Sequence, residues 1–182
     1  MIVMKFGGTS VADSAAISRT IEIVRGRLTE CPVMVVSALS KVTDLLYKIS
    51  DKARMKDIDA ANALLEQLRK RHVDLAAELL APGKCSVGEQ ERESLLDDAL
   101  IRIDSICDRL EHFVGAVCEL GELSDRSKAV IIGNGEYLSS SVIFYAMNAR
   151  GIRTRLLDSR KMIITDNEFL KGEPKTDMII DR

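Results

Sequence analysis

Met1-Ile2-Val3-Met4-Lys5-Phe6-Gly7-Gly8-Thr9-Ser10 opens the chain as an apolar run interrupted by one lysine and closed by two glycines. Such a run predicts a strand buried on both faces of a parallel sheet. Gly7 and Gly8 lack the Cβ atoms that keep an anion away from backbone amides, and they tolerate the positive φ of a tight turn. Ser10 and Asp13 form an S-x-x-D capping pattern ahead of Ile17, Ile21, Val24 and Leu28, which recur at helical spacing. The helix is therefore expected to start where the glycines end, with its positive end aimed at the same point as the free amides. Lys5 adds a full charge there. On these residues alone, a phosphate cradle and a plain strand-turn-helix unit with an exposed lysine both remain open.

The next segment extends the pattern. Cys31-Pro32 leads into Val33-Met34-Val35-Val36, a second short apolar run, followed by Ser37-Ala38-Leu39-Ser40-Lys41. Strand, helix and strand make a βαβ unit with a right-handed crossover, so both strands point their carboxyl ends the same way. Ser37 and its successors then share a crevice with Lys5 and Gly7-Gly8, on the edge where open α/β sheets take ligands. A helix is expected from about Val42 to Met55, with Thr43 in its first turn as either a cap or a ligand contact.

From Asp57 the texture changes. Ile58, Ala61, Leu65, Leu68, His72, Leu75 and Leu79 follow a heptad seam, and so do Leu96, Ala99, Ile103, Ile106, Leu110, Phe113, Val117 and Leu120. Two seams joined around Pro82-Gly83 predict an antiparallel helical hairpin over about 57–120, read as an insertion because its first arm, on the order of 35 Å, exceeds what a βα crossover needs. His72 lies on the seam and reads as a packed core residue. Ser124 to Arg150 admits two readings. Val130-Ile131-Ile132 before Gly133-Asn134-Gly135 looks like strand and turn, whereas Val130, Leu138, Val142, Tyr145 and Met147 can line a helix that tolerates two glycines. Glu136 is then either a surface carboxylate or a group beside a smooth patch where another backbone or a ligand approaches. Ile152–Leu157 alternates and reads as a third strand, Met162–Thr165 as another, with Asp158 and Arg160 paired across a turn. The apolar run Met178-Ile179-Ile180 before Asp181-Arg182 reads as part of an element that has been cut.

Composition narrows the function classes. A chain of 182 residues, 46% hydrophobic and 30% charged, suits one globular domain or a substantial part of a larger one. A net charge of -2 with interspersed signs carries no footprint for nucleic acid or an acidic membrane. No secretory signal or membrane-spanning run appears, so the cytoplasm is the expected compartment. Cys31, Cys85, Cys107 and Cys118 show no metal-ligand spacing and are expected as reduced thiols in the interior.

Three segments in order carry a resemblance to one family. Lys5-Phe6-Gly7-Gly8-Thr9-Ser10-Val11-Ala12, then Val36-Ser37-Ala38-Leu39-Ser40-Lys41-Val42-Thr43-Asp44-Leu45-Leu46, then Gly133-Asn134-Gly135-Glu136-Tyr137-Leu138-Ser139 resemble successive motifs of the aspartokinases. Asp158-Ser159-Arg160-Lys161 with Thr165-Asp166 fits the segment that follows. The resemblance implies an α/β fold, the three-layer αβα sandwich of the amino-acid-kinase (carbamate-kinase-like) type, here incomplete. It implies transfer of the γ-phosphoryl of MgATP to the β-carboxylate of L-aspartate, the first step toward lysine, threonine and methionine. ATP and Mg2+, the latter carried by the nucleotide phosphates, are the implied cofactors, and a homo-oligomer the implied full-length assembly.

The resemblance also assigns roles. Lys5 bridges the transferred phosphate and is the catalytic residue; Gly7, Gly8, Thr9 and Ser10 complete the phosphate-binding segment; Ser37, Thr43 and Glu136 hold the aspartate, Glu136 taking its α-ammonium group. The family's later R-G-G-S-D-type loop, nucleotide half and ACT regulatory domains find no counterpart, so residues 1–182 are read as the N-terminal, aspartate-binding part of a catalytic domain, inactive alone. Two alternatives stay open: another amino-acid kinase, such as one acting on glutamate, and a non-catalytic interaction module.

Overall fold

The computed structural model describes residues 1–169 and 171–180. Strand β1 (Ile2–Phe6) pairs in parallel with β2 (Pro32–Val36), in the register Ile2 with Pro32 through Phe6 with Val36. Helix α1 (Ser14–Arg25) makes the crossover, so the βαβ unit forms as its pattern predicts. Met4, Phe6, Met34 and Val36 turn toward the core cluster that contains Ile17, Ile21 and Val24 of α1.

The opposite face corrects the expectation of strands buried on both sides. Val3, Val33 and Val35 are 64%, 40% and 43% exposed there, with Lys5 exposed in the same row. Among the described residues, the helices cover one face of the sheet. A continuous apolar run in sequence cannot reveal whether a second layer exists to cover the other.

Helix α2 (Val42–Arg54) follows within a residue of its expected limits. The hairpin is present as α3 (Ile58–Leu79) and α4 (Glu89–Leu120). Ala61, Leu68, Leu79, Ala99, Ile103 and Leu110 fill its seam, while Ile58 and Leu120 at the ends are exposed. Arg69 on α3 ties the arms together through Asp104 at 2.6 Å and Asp108 at 2.7 Å on α4. The hairpin does not stand apart from the rest: α3 lies on α1 and α2, and α4 on α2 and α6.

The ambiguous stretch resolves as helix. Helix α5 (Asp125–Ile132), capped by the Ser124 hydroxyl on the Ser127 amide, is followed across Gly133 by α6 (Asn134–Ala149). Asn134-Gly135 is therefore not a hairpin turn. Neither expected later strand joins the sheet. Residues 152–158 form no regular element, with Ile152, Thr154 and Leu156 more enclosed than Arg153, Arg155 and Leu157, and they line a cleft of about 610 Å³ together with β2. Alternation prepares a strand; only a partner edge within hydrogen-bonding reach completes it. Near Met162–Thr165 there is a single antiparallel bridge, between Thr165 and Pro174. Thr176–Ile180 forms a short helix, α7, and the Asp181-Arg182 end of the last apolar run lies outside the described residues.

The thiols depart in part from expectation. Cys107 and Cys118 are buried and Cys85 is partly so, but Cys31 is exposed in a left-handed turn, φ 49°, before β2. No helix among the described residues is long and apolar enough to cross a membrane.

His72 is fully enclosed on the seam. Its Nδ1 donates to the Leu68 carbonyl at 2.8 Å, which leaves Nε2 buried without a partner. Burial lowers its pKa from 6.5 to about 4. The unfolded chain therefore takes up the proton first as pH falls, so stability that is complete above 6.5 is lost between 6.5 and 4, on the order of 3 kcal/mol. His72→Leu removes both the titration and the orphaned nitrogen. Urea unfolding at pH 7 and pH 4.5 should show a smaller acid loss in the variant; the same loss in both proteins would exclude His72 as its source.

Candidate functional site

The crevice begins where the two strands end. The Ser37 amide donates to the Phe6 carbonyl at 3.1 Å, carrying the parallel ladder one step past β2 and holding the two post-strand loops side by side. The first loop closes as a turn, the Ser10 amide donating to the Gly7 carbonyl at 2.9 Å, and Thr20 Oγ1 donates to the Ser10 carbonyl at 2.8 Å. Gly8 is where this turn touches the second loop: a Cβ there would come within 3.3 Å of the Ala38 carbonyl oxygen. Gly7 faces open space, so a side chain there would meet no described atom. Among the described residues none accepts from the Gly8 or Thr9 amide.

The helix end that faces this point is not the expected one. Helix α1 begins at Ser14, and its cap is Asp13, whose carboxylate accepts from the Ala16 amide at 2.8 Å. Ser10 does not cap it, because residues 7–10 close as a turn and the first helical residue is Ser14, directly after Asp13. The Asp13 carboxylate at the N-cap of α1 makes that end a poor seat for an anion. Helix α2 differs. Its N-cap residue is Lys41, in the left-handed region at φ 64°, with no side chain bonded to the first-turn amides. Thr43, in the first turn, is partly exposed and does not cap the helix. An uncapped helix start presents unpaired N–H groups and the positive end of the dipole.

Helix α6 supplies the third side. Gly135 sits against the α2 loop so closely that a Cβ on it would lie 2.8 Å from the Ala38 Cβ and 3.1 Å from Leu46 Cδ1. The approach brings the exposed Glu136 carboxylate to 3.3 Å from the Ala38 amide, which donates to it, and lets Ser139 Oγ donate to the Ser37 carbonyl at 2.8 Å. Loop 37–38 is thus held by β1 on one side and α6 on the other. Ser37 and Thr43 keep hydroxyls with no described partner.

The geometry therefore joins Ser37 and Glu136 directly through the 37–38 backbone, and joins Gly8 to the same loop by contact. Thr43 reaches the site through the start of α2. Lys5 lies on the uncovered sheet face, two residues before Gly7. Ser139 and Lys41 carried no assigned role in the sequence reading, whereas Gly135 was read, in the helical alternative, as part of a smooth patch where another backbone or a ligand approaches. Ser139 is visible only as a serine one helical turn after Glu136; Gly135 has its reason in Ala38, distant in sequence; the left-handed Lys41 leaves no sequence mark.

A parallel strand pair, a glycine turn with free amides, a bare helix start and a carboxylate across the gap meet at one crevice of an α/β domain. Residues 1–179 match the amino acid kinase family, and the chain belongs to that family. It is 31% identical to the aspartokinase of Chlamydia muridarum over 95% of this chain and 33% of that protein. It is 28% identical to bifunctional aspartokinase/homoserine dehydrogenase 1, chloroplastic, of Zea mays over 99% of this chain and 19% of that one. Among solved structures, E. coli aspartokinase III in complex with aspartate and ADP superposes with a TM-score of 0.68 at 22% identity, over the whole of this chain and 36% of the other. That likeness shows the amino-acid-kinase fold. The chain spans about a third or less of the length of these curated relatives.

Gly135→Ala tests the contact that assembles the site. Alanine favours a helix by about 1 kcal/mol, but neither Cβ in the clash can rotate away, so a net loss of about 1–3 kcal/mol is expected. Ala38→Gly removes the opposing methyl and should rescue part of that loss in the double variant. Additive losses in denaturant titrations would show that the two residues do not meet.

Proposed function

We propose that the chain forms the acceptor side of an aspartate kinase, in which the β-carboxylate of L-aspartate attacks the γ-phosphorus of ATP to give 4-phospho-L-aspartate and ADP. The observation that carries this reading is the grip of α6 on loop 37–38, which puts Glu136 and Ser37 on one short stretch of backbone beside the Gly7-Gly8 turn. Phosphoryl transfer needs little covalent chemistry from the protein; it needs the reactants aligned and the charge on the transferred oxygens offset.

In this reading Glu136 exchanges its long bond to Ala38 for the α-ammonium of aspartate, and the Ser37 and Thr43 hydroxyls donate to its carboxylates. Lys5 and the amides from Gly7 to Ser10 face the incoming phosphate; the Ser10 amide, already bonded to Gly7, shapes the turn. The cradle fits such a group: a Cβ at Gly8 would crowd the Ala38 carbonyl at 3.3 Å, and the neighbouring amides are unclaimed among the described residues. Mg2+ enters on the nucleotide's phosphates, where it offsets their charge. The segment that brings ATP is expected to be supplied from outside residues 1–182, so this chain alone binds the acceptor without turning it over, and the complete protein acts in the formation of aspartate-derived amino acids. Similarity to proteins named as aspartokinases supports aspartate over glutamate as acceptor.

Calorimetric titration of the 182-residue chain with L-aspartate, and a hydroxamate assay with MgATP on the protein carrying its nucleotide half, test the reading. Glu136→Gln should weaken aspartate binding about 10- to 100-fold, the loss of a charge-assisted hydrogen bond. Lys5→Ala should leave aspartate binding and the melting temperature nearly unchanged while abolishing most turnover. Binding of L-glutamate as tight as that of L-aspartate would replace the acceptor, and binding of neither would favour an interaction module.

A further inference from the structure

Tyr137 follows Glu136 on α6 and touches two other parts of the chain. Its hydroxyl accepts from Arg102 Nη2 at 3.0 Å, and Arg102 belongs to the long hairpin helix α4. The same guanidinium donates through Nε to Ser141 Oγ at 3.0 Å, and Ser141 Oγ donates back to the Tyr137 carbonyl at 2.7 Å. On the ring, the guanidinium carbon of Arg160 lies 4.5 Å from the centroid. Arg160 is itself locked onto Asp158 by two bonds, from Nε at 2.9 Å and Nη2 at 2.8 Å, which together hold the Asp158 carboxyl below its usual range.

This arrangement places two guanidinium groups against one aromatic side chain, from elements far apart in sequence. A cation over a ring is attracted by its negative face, and the hydroxyl bond anchors the far end of the ring. The turn that Arg160 belongs to is short and internally bonded. The Lys161 amide donates to Asp158, and the Met162 and Ile163 amides both donate to Ser159, at 3.0, 3.0 and 2.7 Å. Asp158, Ser159 and Arg160 line the same 610 Å³ cleft that Glu136 and Tyr137 line.

We propose that Tyr137 is a positioning residue: held at its hydroxyl by Arg102 of the hairpin and covered on its ring by Arg160, it sets the 158–161 turn as a wall of the cleft that Glu136 lines. The part of this inference that concerns aspartate rests on the acceptor reading above. The coupling between hairpin and turn does not. It makes the hairpin more than a support for the helical layer, because a shift of α4 at Arg102 changes where the turn sits relative to the carboxylate.

Amide hydrogen exchange at residues 161–163, with calorimetric aspartate binding alongside, tests both parts on the 182-residue chain. Arg102→Met and Tyr137→Phe remove the hydroxyl bond and keep the ring, and each should speed exchange at 161–163 about fivefold, the weight of one net hydrogen bond. Arg160→Met, which removes the ring contact together with both Asp158 bonds, should speed exchange at least as much, and Tyr137→Leu should exceed Tyr137→Phe. Arg109→Met, a charge removed from the same helix as Arg102, should leave these amides unchanged. Aspartate affinity should fall in the same order.

An unchanged rate at 161–163 in Arg102→Met and Arg160→Met overturns the coupling, as does a rise spread evenly over the whole chain. If Tyr137→Leu does not fold, Tyr137→Phe and the two arginine variants decide the matter. Faster exchange in a chain that binds no aspartate overturns the acceptor reading and leaves the coupling standing. Aspartate binding with a flat exchange profile does the reverse.

Discussion

The contact between Gly135 and Ala38 is the constraint on which the rest of the site depends. A helix and a loop meet there with a gap that admits no methyl group. Because α6 comes this near, a carboxylate and a hydroxyl on the same helical face reach backbone atoms of loop 37–38 that would otherwise be bonded to water. The loop in turn closes over Gly8. Remove the contact and the two post-strand loops still leave the sheet side by side, but nothing orients the second against α6. The position is thus a packing requirement whose product is chemical geometry.

Much of this was legible in the residues themselves. The hairpin arms follow from heptad spacing, which is local, and their buried rows match the seams except toward the ends and at Phe113, where Val114 is the buried residue. The two strands and their parallel order follow from short apolar runs separated by one helix. The segments 5–10, 37–43 and 133–139 could be recognised as a set, and the structure brings the carboxyl ends of β1 and β2 together with the start of α6.

What stayed hidden depends on partners remote in sequence. Gly133 and Gly135 look like turn formers because their reason for being glycine, at least for Gly135, is a side chain almost a hundred residues earlier. Ile152–Leu157 has the alternation of a strand and even the matching pattern of exposure, but pairing is a property of two edges, and β2 lies across a cleft. Ser10 and Asp13 were equally good caps by type, and the choice fell to Asp13 once the Gly7–Ser10 turn had closed. Burial of the second sheet face could not be read from valines, which fit a covered strand and an uncovered one alike.

That uncovered face has a consequence for the lysine in its midst. Val3, Val33 and Val35 form a sticky tile that would favour stacking against an identical tile from another molecule. Lys5, opposite Val35 in the ladder, puts an ammonium into the same row, and bringing two such tiles together would press like charges against each other in a dry seam. One side chain thus sets a charge against self-adhesion of an apolar face.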